Sequence, residues 1–175
     1  MAEGDPLAGE RLIVATDLDG NPREAKVRRA ARLDESELRD LFADRIGWQD
    51  VCAWDGREGR VVSRREERFG ALVLATRSWD APQEDVARAM CEGGRTLGLR
   101  PSPAAARLMR RVALARGSGA DLPDCSEEAL LASLEDWLLP FLGGARTAEA
   151  WRRIDLLPAL EARIGWDGMR RLEEI

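Results

Sequence analysis

Two aspartates one residue apart, Asp17 and Asp19, sit with Gly20 at the end of the apolar run Arg11 to Leu18. A carboxylate held at a strand end can attack phosphorus when a metal ion offsets its charge. The same residues have a plainer reading. Asp19-Gly20-Asn21-Pro22 is strong turn chemistry, because short polar side chains bond nearby amides and glycine accepts positive φ. The first reading makes the chain an enzyme. The second makes these residues the end of one strand and the start of a hairpin turn.

Asp17-Leu18-Asp19-Gly20 looks like the first motif of the haloacid dehalogenase phosphatases, in which the first aspartate is the nucleophile, the second the general acid, and magnesium lies between them and the substrate. That resemblance implies a later Asn- or Thr-rich motif, a lysine and a distal acidic pair on a parallel α/β sheet. Lys26 is the only lysine and comes too early, and Asp121 and Asp124 follow a glycine loop rather than a buried strand. A calcium loop fails as well, since Arg28 stands where the twelfth position needs glutamate. With no histidine there is no Ser-His or Cys-His catalysis. Lys26 follows Ala25, so the chain has no Gly-Lys-Ser/Thr phosphate loop. Cys52, Cys91 and Cys125 form no C-x-x-C pair and read as small buried hydrophobes. No catalytic residue, no metal site and no cofactor is expected for this chain itself.

The remaining chemistry is charge and stacking. Arg28 and Arg29 with Arg64, Arg65 and Arg68 can lie on adjacent strands, and Trp54 can offer a stacking surface nearby. Small barrels of the OB type use this mixture to hold single-stranded nucleic acid. The plainer alternative is an exposed strand face whose arginines pair with Glu66 and Glu67.

The elements that must position these residues follow from spacing. Arg11 to Leu18 reads as a strand buried on both faces, and Arg23 to Leu33 as a half-buried partner across the turn. Asp34-x-x-Glu37 is a capping box opening a helix whose apolar stripe is Leu38, Leu41, Phe42 and Ile46, ended by Gly47. Strands return at Gln49 to Trp54, Arg60 to Phe69 and Ala71 to Ala75, with a turn from Asp55-Gly56 to Gly59. On the strand Arg60 to Phe69, Arg64 and Arg68 share one face and Arg65 takes the other. From Pro82 the pattern is helical. Val86, Ala89 and Met90 mark one helix ended by Gly98, and Ser102-Pro103 starts a second reaching about Arg116. Ser126 caps a third with Leu130, Leu134, Trp137, Leu138 and Phe141 inward, limited by Pro140. Thr147 starts a fourth with Trp151, Ile154 to Ile164 can continue it past Pro158, and Met169 to Ile175 begins another.

The fold class expected is therefore α+β: a partial OB-like β-barrel with one inserted helix over residues 1–79, followed by an all-helical domain over residues 80–175, truncated at its C-terminal end. With 45% hydrophobic and 34% charged residues among 175, the chain reads as globular. No apolar run approaches the roughly 20 residues of a membrane helix, and the acidic start MAEGDPLAGE is unlike a signal peptide. A cytoplasmic setting with no membrane partner is expected. The net charge of −5 argues against strong independent binding of nucleic acid and leaves room for a local arginine contact.

Four segments in order, PLAGERLIVATDLDG, EAKVRRAARLDESELRDLFADRI, AWDGREGRVVSRREERFGALVL and EEALLASLEDWLLPFLGG, resemble the region after the motor in bacterial HrpB-type ATP-dependent helicases of the DExH class. The resemblance runs from about Asp5 to Glu174. It implies a parent with two RecA-like motor domains in the same chain, which bind ATP and magnesium, and RNA as the partner. It also implies that this region braces the motor and guides the strand without ATPase activity of its own. The motor's nucleotide-binding residues lie upstream, so none carries over. Relative to the family, the chain is expected to begin within the barrel region, without its first strand, and to stop before the family's terminal domain. The alternatives are a protein-interaction module or, less favoured, a magnesium-dependent phosphatase using Asp17 and Asp19.

Overall fold

The computed structural model describes residues 6–20, 23 and 25–173. The chain divides into two compact units, residues 1–48 with 67–75, and residues 49–66 with 76–175. The strands form a two-stranded sheet, β1 (Ile13–Leu18) with β2 (Val27–Arg32), and a three-stranded sheet in the order β3 (Ile46–Asp55), β4 (Arg60–Phe69), β5 (Leu72–Ser78). β1 and β2 are antiparallel. The links between β3, β4 and β5 are too short for a crossover, so this sheet is an antiparallel meander. Among the described residues the sheets do not close into a barrel, so the architecture is mixed α/β with open antiparallel sheets.

In the first unit, the hairpin β1–β2 pairs Ile13 with Arg32 and Leu18 with Val27. The expectation of a strand buried on both faces is overturned. Val14 is 43% and Leu18 50% exposed, because a two-stranded ribbon offers no second layer here. Helix α1 (Glu35–Leu41) opens as expected, with the Asp34 amide donating to Glu37 Oε2 at 3.4 Å. It ends early. Phe42 leaves the helical conformation, Ala43–Arg45 form a single 3-10 turn, and Ile46 begins β3. Phe42 instead packs on Phe69 with ring centroids 5.0 Å apart, and Arg45 lies over both rings. Leu38 is buried, whereas Leu41, expected on the same stripe, is exposed.

A relay of charge fastens α1 within this unit. Arg39 grips Glu67 of β4 with two parallel hydrogen bonds of 3.0 and 2.7 Å. It also bonds Glu35 at 2.8 Å, and Glu35 in turn meets Arg11 at 2.5 Å. These carboxylates raise the Arg39 pKa, the hydrogen bonds to Glu67 first.

The second unit holds the main core. Its helices are α2 (Gln83–Leu97), α3 (Pro103–Gly117), α4 (Glu127–Ala132), α5 (Leu134–Trp137), α6 (Ala148–Arg152) and α7 (Leu157–Glu173). Val86, Met90, Cys91, Val112, Leu130, Leu134, Leu138 and Leu160 are fully buried among them. Ser102, Ser126 and Thr147 cap α3, α4 and α6, each side-chain oxygen accepting a backbone amide at 3.3, 3.3 and 3.1 Å. The helix expected from Ser126 to Pro140 breaks at Ser133 into α4 and α5, and Phe141 emerges on the surface at 38% exposure. α7 carries a break at Gly165, whose φ of 75° suits glycine and disfavours other residues. Residues 169–173, expected to begin a separate helix, belong to its second half.

Two adjacent glycines set the packing of α2. A Cβ on Gly93 would fall 2.4 Å from the Trp54 ring, and one on Gly94 would fall 2.2 Å from the Trp151 ring. Both indoles therefore lie directly on the helix backbone. Trp151 also donates to the Gly98 carbonyl at 2.9 Å. Beside it, the start of β4 joins the strand-like residues before α6, with the Val61 amide bonded to Arg146 O at 2.7 Å.

Candidate nucleic-acid interface

The aspartate pair resolves as a hairpin end. Asp17 stands opposite Arg29 in the register, next to an irregularity that absorbs one residue. Asp19 Oδ1 accepts the Lys26 amide at 3.0 Å, and the Asp19 amide donates to Lys26 O at 3.2 Å. Asp19 thus holds the turn in an antiparallel ribbon, the geometry of the plain reading. Asn21 and Pro22, the other expected turn residues, lie outside the described residues. Among the described residues no group of three or more Cys, Asp or Glu side chains could hold a metal ion.

The arginines and the tryptophan are divided between the units. Arg28, Arg29 and Arg68 belong to the first, and Trp54, Arg64 and Arg65 to the second. Arg28 and Arg29 are exposed neighbours on β2. Consecutive strand residues point to opposite faces, so they do not join one basic patch. The same rule separates Arg64 from Arg65 on β4.

Their electrostatics differ. Arg64 reaches along its own strand to Glu66 at 2.5 Å, and Glu66 is only 2% exposed. A carboxylate this deep needs a cation nearby to offset its lost hydration. Arg65 crosses to Asp50 of β3, its Nη2 bonding Oδ2 at 3.0 Å. That hydrogen bond holds the Asp50 carboxyl below the usual aspartate range. Both members are about half exposed, where such a pair contributes little and exchanges readily for another anion. Arg68 is half-buried and engaged within the fold. Trp54 lies against Gly93 with part of its ring exposed. The turn that follows it is fixed by Asp55, whose Oδ1 accepts the Arg57 and Glu58 amides at 2.8 and 3.0 Å. Those amides, Glu58 first, hold the Asp55 carboxyl low.

The plainer alternative paired the arginines with Glu66 and Glu67 across the sheet. Glu66 meets Arg64, but along the same strand, and Glu67 faces α1 and binds Arg39. Asp50 was not legible as a partner, because its meeting with Arg65 depends on the register between β3 and β4. A second basic stripe, Arg107, Arg110 and Arg111 on α3, is legible from helical spacing alone.

Comparison with known proteins supplies the frame for these residues. A family model described as "ATP-dependent RNA helicase HrpB, connector region" matches residues 45–79. The ATP-dependent RNA helicase HrpB of Escherichia coli (strain K12) is 29% identical over 171 residues, which span 94% of this chain and 21% of that protein. Among solved structures, the E. coli DExH-box NTPase HrpB matches with a TM-score of 0.52 and 26% identity, over 99% of this chain and 22% of that one. The Escherichia coli DEAH/RHA helicase HrpB matches with a TM-score of 0.51 and 25% identity, over 97% of this chain and 22% of that one. The chain therefore spans about a fifth of the length of the relatives it matches. The connector match coincides with the meander β3–β5 and its flanks.

Proposed function

We propose that this chain, which corresponds to an accessory region of HrpB-type helicases, braces an ATP-driven motor and guides its RNA strand, with no ATPase activity of its own. The observation that carries this reading is the connector match over residues 45–79, within a likeness to the helicase that runs almost the whole chain. In this reading residues 1–79 act as part of an OB-like barrel and residues 80–175 as a helical domain, working in the cytoplasm beside two RecA-like motor domains of the parent. ATP and magnesium belong to that motor. Exposed Leu41, Trp48, Leu72 and Val73 give the first unit apolar surface that a protein neighbour could cover, which supports the bracing role.

Arg28, Arg29, Trp54, Arg64, Arg65 and Arg68 are the proposed RNA contacts. Arg65 is the best placed, because a phosphate can replace Asp50 without exposing a buried charge. The test is Arg64, Arg65 and Arg68 to Ala in a parent helicase carrying this region. Three lost phosphate contacts on a single strand should flatten the slope of log K against log salt by about 2. Arg65→Ala alone, which spares the Glu66 pairing, should flatten it by about 0.7. Unchanged slopes in both variants, with melting temperatures unaltered, would remove these residues from the RNA path.

A further inference from the structure

Helix α3 carries Arg107, Arg110, Arg111 and Arg116 and no acidic residue. Its buried face is Ala105, Leu108, Val112 and Ala115, so all four arginines are exposed. Three other surface arginines of this unit meet acids: Arg88 meets Glu84 and Asp85, Arg95 meets Glu135, and Arg153 meets Glu149. Among the described residues Arg107 and Arg110 meet no such partner. Arg111 donates to the Leu172 carbonyl, and among the described residues it meets no acidic side chain. Arg116 is spoken for, by Leu122 O at 2.9 Å and Asp124 at 3.4 Å.

The stripe borders a groove against α7, lined by Arg107, Arg111, Leu157, Glu161 and Met169. Three residues before Met169, and so on a neighbouring face of α7, stands Trp166. Its ring is 72% exposed, with the Arg170 guanidinium 5.0 Å from its centroid. The break at Gly165 starts a new helical segment at this tryptophan. A flat apolar ring held in water one helical turn from the groove that Arg107 and Arg111 border is a combination suited to single strands: phosphates meet the cations and a base stacks on the ring.

We propose that α3 and the α7 turn at Trp166 form a contact surface for single-stranded RNA, with phosphates on Arg107, Arg110 and Arg111 and a base on Trp166. This rests on the reading of the chain as part of an RNA helicase, and adds a contact region separate from the β4 arginines. Glu161 is the acid in the groove, and it limits the path to the outer rim.

The experiment uses the 175-residue chain and a fluorescein-labelled oligouridylate, followed by anisotropy between about 50 and 200 mM KCl. Arg107→Gln with Arg110→Gln should weaken binding and flatten the salt slope by about 1.4, for two phosphates lost from a single strand. Trp166→Ala should weaken binding about five- to a hundredfold with the slope unchanged, because stacking is insensitive to salt. All three positions are exposed, so the melting temperature should not move. Binding that is lost only in the Arg64, Arg65 and Arg68 variant would overturn this surface and leave the proposed function standing. Competition by polyglutamate equal to that by RNA, with Trp166→Ala silent, would assign the stripe to an acidic protein and overturn it too. No binding of oligouridylate at low salt would overturn both.

Discussion

Replacing Gly94 with alanine separates two opposed physical effects. Gly94 lies inside α2, where alanine is the better helix former by about 1 kcal/mol. Helix propensity alone therefore makes Gly94→Ala stabilising. The structure argues for the opposite sign. The new methyl would sit 2.2 and 2.3 Å from two carbons of the Trp151 ring, well inside contact distance. Trp151 is 4% exposed, so it has no open space to yield into. Forcing such a group into a packed core costs about 1–3 kcal/mol. Shifting the ring also strains the Trp151 bond to Gly98 O, worth about 1 kcal/mol. The net expectation is a loss of about 2 kcal/mol, which for a chain of this size lowers Tm by about 4–8 °C. The assay is urea denaturation followed by circular dichroism, which does not depend on indole emission. A second background, Trp151→Phe, makes the argument specific. With the smaller ring the cost of Gly94→Ala should shrink, giving a coupling of at least about 0.5 kcal/mol. Equal or higher stability of Gly94→Ala, or no coupling to Trp151, would refute the close approach.

Two further outcomes follow from the electrostatics. The Glu135 carboxyl is held low, first by the Arg95 hydrogen bond, and Asp124 by the Ser126 amide. A group depressed on folding stabilises fully above its unfolded value and loses that contribution as pH falls through its folded one. The urea midpoint should therefore be flat above about pH 5 and fall below the ordinary values of 4.5 and 3.8. Glu135→Gln should soften that fall, and an identical pH profile would refute its share. For the thiols, burial pushes Cys91 up to about 11, and Cys91 and Cys125 are 0% and 4% exposed. Iodoacetamide at pH 7.5 should label neither in the folded chain and both in urea, by mass spectrometry. Rapid native labelling of Cys91 would contradict the core described for α2.

What was legible in the sequence was local. Ser102-Pro103, Ser126 and Thr147 announced three helix starts because a cap needs only its own next turn. Arg60–Phe69 was readable because the turn at Asp55 to Gly59 and the alternation beyond it lie within one hairpin. The early end of α1 was not readable, since Phe42 leaves the helix for Phe69, a residue distant in sequence. The role of Gly93 and Gly94 on α2 was not legible, because it depends on Trp54 and Trp151, which are distant in sequence. Whether the two sheets join into a barrel was not readable, because pairing between strands far apart in sequence is a tertiary matter that alternation cannot decide; among the described residues they remain separate. The arginines were visible, and of their countercharges Glu66 was visible and Asp50 was not. Arg64 and Arg65 are adjacent in sequence, yet one holds a buried glutamate and the other an exposed aspartate.

The central proposal is that this chain contacts RNA as an accessory region and does not turn over ATP. The most direct measurement adds single-stranded RNA to the chain with ATP and magnesium present, recording anisotropy and released phosphate together. The account predicts binding that weakens steadily with salt and no phosphate above background. RNA-stimulated phosphate release, or no RNA binding at about 50 mM salt, where phosphate contacts are strongest, would contradict it.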